Sequence, residues 1–303
     1  MRFDLTILGC SSATPIYNRN PTAQLLNCFD KYYLIDCGEG TQQQLLRFDL
    51  KSSRIDHIFI SHLHGDHYLG LIGLLSSLHL NGRTKPLLLF APPELKEIIE
   101  LHFKYSETVL QYEIIFRPVR SDVSEVILEN DDLIVETIIL AHRIPCTGFL
   151  FRQKRRLRKV IREKMESLHV PHDYVRFIKR GHDFTDENGT VHPNAELTTD
   201  PDEPLSYAYC SDTLYNDSYC TQLYDVDLLY HESTFMHDML DRAQKTFHTT
   251  ALQAGEVALK CRVKRLLIGH FSARYKNLGP LLEEARSVFP QSELAVEGRT
   301  YAI

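Results

Sequence analysis

At 303 residues and 43% hydrophobic content, the chain can bury a sizeable core as one large domain or two small ones. Its formal net charge of −6 excludes a molecule that attracts phosphate as a whole, so any nucleic-acid footprint must be local. The seven cysteines (Cys10, Cys28, Cys37, Cys146, Cys210, Cys220 and Cys261) are odd in number and scattered, with no C-x-x-C pair. The N-terminus is too short and acid-interrupted for a signal peptide, and no apolar run approaches the ~20 residues of a membrane helix. These features lead us to expect a cytoplasmic protein that does not engage membranes.

In chain order, short apolar, β-branched runs recur, each ending in a polar group capable of chemistry. Residues 6–9 lead into Cys10-Ser11-Ser12, 32–35 end at Asp36, and 55–60 end at His62. Residues 68–80, rich in small side chains, and 93–103 have helical spacing. Residues 133–140 then end at His142. A composition break follows at 152–202: Arg152-Gln-Lys-Arg-Arg-Leu-Arg-Lys opens it, and a turn-rich acidic stretch closes it. The apolar spacing of Leu157, Val160, Ile161, Met165 and Leu168 predicts a basic amphipathic helix in this insertion, standing off the core. Beyond it, residues 205–210 end at Asp212, 226–230 at His231-Glu232, and 265–269 at His270, with a helix expected over 249–261. The pattern predicts an α/β fold whose strand ends share one rim.

The densest chemistry lies in His62-Leu63-His64-Gly65-Asp66-His67. His62 and His64 can converge on one ion and Asp66 with His67 on a second, since imidazole nitrogen and carboxylate oxygen are the usual zinc donors. A lone strand-end histidine is more often a structural hydrogen-bonding residue, and an Asp before Thr213 can simply cap a turn. Taken together, however, the strand ends fit a site in which His62, His64 and His142 hold one ion and Asp66, His67 and His270 the other. Asp212 would bridge both. Paired ions of this kind position a nucleophile and neutralise phosphoryl charge, so phosphodiester hydrolysis is the expected reaction class.

The segments Leu8-Gly-Cys-Ser-Ser-Ala-Thr-Pro15, Asp36-Cys-Gly-Glu-Gly-Thr-Gln42, Ser61–His67, Gly70–Ser77, Tyr209-Cys-Ser-Asp-Thr213, His231-Glu-Ser-Thr-Phe235, His248-Thr-Thr250 and Gly269-His-Phe-Ser-Ala-Arg-Tyr275 carry a resemblance that runs nearly end to end. In order and spacing the chain resembles the ribonuclease Z family, tRNA 3′-processing endonucleases of the metallo-β-lactamase superfamily. The resemblance implies an αββα sandwich with a tRNA-gripping arm inserted at 152–202, two Zn2+ per subunit, and a homodimer with precursor tRNA as partner. It further implies removal of the 3′ trailer by metal-activated hydroxide attack, leaving a 3′-hydroxyl on the tRNA. Asp66 would orient or deprotonate the nucleophile, and His248, oriented by Glu232, would protonate the leaving 3′ oxygen. Arg274 would clamp a phosphate; Arg155, Arg156, Arg158 and Lys159 would hold the tRNA body. Asp36 and His231 would sit behind the ligands and steady them by hydrogen bonds.

The chain departs from the family in two places. The arm carries Val170-Pro171-His172-Asp173-Tyr174-Val175 where many relatives have a Gly-Pro-rich tip, and Tyr17 stands where a basic residue is common. Two other functions compete: a related phosphodiesterase or arylsulfatase-like hydrolase of small substrates, against which the basic arm argues, and a non-catalytic RNA-binding module.

Overall fold

The computed structural model describes residues 3–303. The chain forms two compact units, one made of residues up to 152 together with 205–303 and the other of residues 153–204.

In the first unit, strands β1 (Phe3–Gly9), β2 (Ala23–Cys28), β3 (Lys31–Ile35), β4 (Ile55–Phe59), β5 (Leu87–Ala91) and β6 (Ile114–Pro118) lie side by side in one sheet. From β3 to β6 the pairing is parallel. A second sheet starts with β7 (Val126–Glu129), β8 (Leu133–Leu140) and β9 (Cys146–Gln153). The chain then makes four two-residue strands in the other unit, β10 (Lys159–Val160), β11 (Phe184–Thr185), β12 (Val191–His192) and β13 (Thr198–Thr199). It returns through β14 (Ser206–Cys210), β15 (Leu228–Glu232), β16 (Arg265–Gly269) and β17 (Ser292–Leu294), which are parallel to one another and complete the second sheet. The last strand, β18 (Thr300–Ala302), pairs back on β1.

Side-chain alternation explains why the two sheets stack. Tyr33, Ile35, Phe59 and Phe90 point inward, where they meet Phe149, Phe151, Tyr207 and Tyr209 of the second sheet in one core. Phe59 stacks on Phe90 at 4.7 Å and meets Phe151 edge-on at 5.3 Å. The opposite faces of the same strands, through Tyr32, Leu34, Ile58 and Leu89, pack on the helices Leu71–Leu80 and Glu94–Tyr105. The second sheet is covered by helices Ala251–Lys260 and Gly279–Val288 through Ala254, Val257, Leu281 and Ala285. The result is the αββα layering expected, with a block of four parallel strands in each sheet. Ligand sites in such sheets collect at the carboxyl ends of parallel strands.

The smaller unit has its own core of Met165, Ile178, Phe184 and Leu197. Here one expectation fails. The basic run is not helical: residues 154–158 are irregular, β10 pairs with β13, and a helix begins only at Arg162. The reason is electrostatic pairing with the acidic return segment. Arg158 donates to Thr198 Oγ1 at 2.7 Å and pairs with Asp200, Lys159 pairs with Asp202 at 2.9 Å, and Arg155 lies 3.8 Å from Glu203. The irregular run and the short β10 lay these cations along the carboxylates, while Leu157, the first residue of the supposed apolar stripe, is 54% exposed.

Candidate metal centre

Four of the clustered side chains leave strand ends directly. β4 runs into Ser61-His62, β8 into His142, β14 into Asp212 and β16 into His270. In the parallel register Cys210 faces His231 and Glu232 faces Gly269, so neighbouring strands end level. The short helix Gly65–Tyr68 then presents Asp66 and His67. Two glycines make that seat possible: a Cβ on Gly70 would come within 2.2 Å of Gly38 O, and one on Gly38 within 2.4 Å of Asp66 O. Asp36 and His270 both hold positive φ, 55° and 58°, a region costly for residues other than glycine and common at functional sites.

The geometry separates the donors into two triads. His62 Nε2 and His142 Nε2 each lie 3.1 Å from His64 Nδ1. Asp66 Oδ2 lies 3.5 Å from His67 Nε2 and 3.3 Å from His270 Nε2. Asp212 stands between them with its two oxygens divided. Oδ2 is 3.6 Å from both His62 Nε2 and His142 Nε2, whereas Oδ1 is 3.3 Å from His67 Nε2 and 3.2 Å from His270 Nε2. All seven expected donors are therefore brought together.

The outer ring nitrogens are already engaged. His142 Nδ1 donates to Phe247 O at 2.9 Å, and His62 Nδ1 sits 2.9 Å from Ser61 Oγ. His67 Nδ1 donates to Asp36 Oδ2 at 2.7 Å, and His270 Nδ1 donates to Thr234 Oγ1 at 2.9 Å. Such bonds leave the inner nitrogens as lone-pair donors aimed at the centre. Asp36, fully buried, also accepts from the Ser61 amide (2.7 Å), the Ser61 hydroxyl (2.8 Å) and Tyr209 OH (2.5 Å). It touches the metal loop from behind and does not join the donor set.

Electrostatics sharpen the picture. Burial, reinforced by neighbouring imidazoles, holds His62 and His64 below the ordinary histidine range, and burial does the same for His142. These rings are neutral, the form that binds metal. Burial opposes ionisation of Asp212 and Asp66, yet the surrounding histidines hold both carboxyls well below their usual range. Burial likewise opposes charge on His67, but Asp212, Asp66 and Asp36 push it well above the usual value. The potential at the centre thus favours a positive charge. His67 Nε2, buried between Asp212 Oδ1 at 3.3 Å and Asp66 Oδ2 at 3.5 Å, makes no well-aligned hydrogen bond to either, a costly state for a polar atom. A cation between the triads would resolve it, so the residues present fit a metal centre.

Beside the triads lies a second constellation. His248 Nδ1 donates to Glu232 Oε1 at 2.8 Å, and Glu232 is fully buried. Burial opposes a charge on His248, but the Glu232 carboxylate raises it to about 9. Thr213 N, Thr234 N and Thr234 Oγ1 all donate to Glu232. Thr234 is the connection that sequence reasoning missed: its hydroxyl binds Glu232 at 2.6 Å, accepts from His270 and lies 3.3 Å from His248 Nδ1. Phe247, with φ 61°, was missed too, although its carbonyl orients His142. So was Ala13, whose amide donates to Asp66 Oδ2 at 2.7 Å. Backbone donors and acceptors of this sort carry no residue signature.

Not every expected residue joins. His231 is buried, but its Nε2 bonds Tyr219 OH at 3.0 Å and its Nδ1 bonds Glu232 O at 2.7 Å, so it braces the strand end and none of the clustered ligands. Arg274 is exposed, on the loop that follows His270. Arg155, Arg156, Arg158 and Lys159 belong to the smaller unit.

Residues 3–203 match the family model described as anti-Pycsar protein Apyc1. A ribonuclease Z of Bacteroides fragilis is 46% identical over 98% of this chain and 97% of its own length. Human tRNase Z, short form, superposes with a TM-score of 0.72 at 26% identity, covering 99% of both chains. The metallo-β-lactamase fold protein YhfI of Bacillus subtilis, 17% identical, gives 0.70 over 99% of this chain and 98% of its own.

Proposed function

The chain belongs to the ribonuclease Z family, with its first two thirds also in the family of the Apyc1 model, and on that premise we propose how its own residues cut RNA. It is a hydrolase, an endoribonuclease acting on the 3′ ends of precursor tRNA. In our reading it removes the 3′ trailer and leaves a 3′-hydroxyl on the tRNA.

His62, His64 and His142 would hold one divalent ion, Asp66, His67 and His270 the other, and Asp212 both; we assign these as Zn2+, two per subunit. Such a pair supplies a nucleophilic water at neutral pH and neutralises phosphoryl charge. Asp66 is ionised and fixed by the Ala13 amide, which suits it to accept a hydrogen bond from that water and orient it. His248 keeps its proton at neutral pH because of Glu232. With Nδ1 committed to Glu232, its Nε2 proton is the one free for the leaving 3′ oxygen, a step worth about 10²–10⁴-fold. Arg274, being exposed next to His270, would bind a phosphate oxygen. Arg155, Arg156, Arg158 and Lys159, in an inserted arm of residues 152–202, would contact the tRNA backbone.

We further propose a homodimer in the cytoplasm. Leu46 and Leu80 are 84% and 80% exposed, and Leu46 borders a cavity of about 700 Å³ with Leu50, Ser77 and Leu78; such exposed apolar surface suits a partner subunit. The odd number and scattered placement of its seven cysteines suit a reducing compartment. No described helix is long and apolar enough to cross a membrane.

The observation that carries the reading is the division of Asp212 between two triads beside the Glu232–Thr234–His248 group. Incubation with a 3′-extended precursor tRNA, with and without chelator, tests it: one chelator-sensitive cut after the discriminator base is expected. Hydrolysis of a small phosphodiester with the precursor left intact would favour the small-substrate hydrolase instead. That second reading draws on the in-unit pairing of Arg158 and Lys159 with Asp200 and Asp202.

A further inference from the structure

The thiols of this chain are unevenly placed. Cys10, Cys28, Cys37, Cys146, Cys210 and Cys261 are buried, and Cys220 alone is half-buried. Cys220 and Cys261 lie 41 positions apart in sequence, yet their sulfurs approach to 2.8 Å. Cys220 opens the helix Cys220–Leu223, and Cys261 closes the helix Ala251–Lys260. The two segments are already joined around the sulfurs. Asp225 N donates to Cys261 O at 3.1 Å, Arg262 pairs with Asp225 at 3.7 Å, and Lys260 pairs with Asp217. Bond formation therefore requires little backbone movement.

We propose that Cys220 and Cys261 are a reversible redox pair, closed to a disulfide by a peroxide. Burial and the adjacent Cys220 sulfur push the Cys261 thiol upward, and Cys220, half-buried where Cys261 is buried, is the sulfur an oxidant reaches first. Its thiolate attacks one oxygen of hydrogen peroxide, forming a sulfenic acid and releasing hydroxide. The Cys261 sulfur then displaces the sulfenic oxygen as a second hydroxide, and the two thiol protons convert both hydroxides to water. Two electrons leave the sulfurs and reduce one peroxide.

The loop so closed runs from 220 to 261 and contains Glu232, Thr234 and His248. A cross-link there restricts the unfolded segment that carries the proton donor, which stabilises its folded form.

The test uses the full-length protein treated with hydrogen peroxide and then alkylated. Expected are a mass loss of 2 Da before alkylation, a Cys220–Cys261 linked peptide, and a rise in Tm of roughly 5 °C. Dithiothreitol should reverse all three, and Cys220→Ser should show none of them. Oxygen added to Cys220 without a link, a Cys210–Cys220 link, or a linked protein with unchanged Tm would overturn the proposal. Peptide mapping of the wild-type protein decides the pairing even if the Ser variant folds poorly.

Discussion

The donor cluster and the 153–204 unit both bring opposite charges together, but in opposite surroundings. Asp212 exposes 3% of its side chain and meets four imidazoles, each fixed from behind by a hydrogen bond. Asp200 and Asp202 expose 68% and 62% and pair, among the described residues, with Arg158 and Lys159 on flexible stems. Coulomb attraction in a dry, fixed setting far exceeds that in water, where salt screens it within a Debye length. Exposed pairs of this kind contribute little to stability. The cluster is thus set before any substrate arrives, whereas the exposed ion pairs of the 153–204 unit can open at small cost.

The sharpest way to break this contrast is at its most buried member. Asp212→Ala removes the one group that faces both triads and leaves the six remaining donors without their shared carboxylate. We expect activity on precursor tRNA to fall at least about a thousandfold, with bound metal, measured by atomic emission, dropping below two per chain. Retention of two ions and activity within tenfold would show that the division of Asp212 has no chemical role.

Next in size is the proton donor. His248→Ala should cost about 10²–10⁴-fold in kcat with metal content unchanged. The pH profile separates a donor from a structural histidine. With its value raised to about 9, His248 is protonated throughout the neutral range, so the acid-dependent rate holds below pH 9 and falls as pH rises through it. Glu232→Gln removes the raising charge. The alkaline limb should then move down toward 6.5, and at pH 8 the variant should lose activity that acidification to pH 6 restores. An alkaline limb that stays near 9 in Glu232→Gln would assign the proton to another group.

A smaller effect is expected one layer behind. Asp36 accepts four hydrogen bonds, all from donors, and an asparagine there would turn an amide N–H toward some of them. Asp36→Asn should weaken metal affinity about 10–100-fold, measured by competition with a chelator. Saturating metal should restore most of the rate, which it cannot do for Asp212→Ala.

How far this arrangement is legible before folding differs by type of residue. His62, His64, Asp66 and His67 announce themselves because a short loop needs several donors at close spacing. His142, Asp212 and His270 are legible because each closes an apolar strand. Asp36 is legible in the same way, closing the apolar run 32–35, and it bonds Ser61 and His67 from behind the loop. By contrast β5, Leu-Leu-Leu-Phe-Ala, ends in no chemical group, and a reading that follows strand ends passes over it. Thr234 was visible within His-Glu-Ser-Thr, but its link from Glu232 to His270 depends on two strand ends lying level, which no local pattern states. The arm misled for a related reason. Its 3.6-residue apolar spacing is real, but the acidic segment that draws Arg155, Arg158 and Lys159 into ion pairs lies about 40 residues later, and long-range pairing overrode local propensity.

The arm therefore gives the smallest and most tunable prediction. Arg158 is held by Thr198 as well as Asp200, so its removal would disturb the β10–β13 pair and confuse binding with folding. Arg155 is better suited, since its only described ion pair, with Glu203, is long at 3.8 Å and both side chains are mostly exposed. If the arm contacts the RNA backbone, Arg155→Ala combined with Arg156→Ala should raise KM several-fold and leave kcat unchanged. Each lost phosphate contact should also reduce the slope of log affinity against log salt by about 0.7–0.9. Raising the salt should then narrow the gap between variant and wild type, as it would for no substitution in the cluster. An equal loss at all salt concentrations would mean that these arginines act through the fold of the 153–204 unit and not through phosphate.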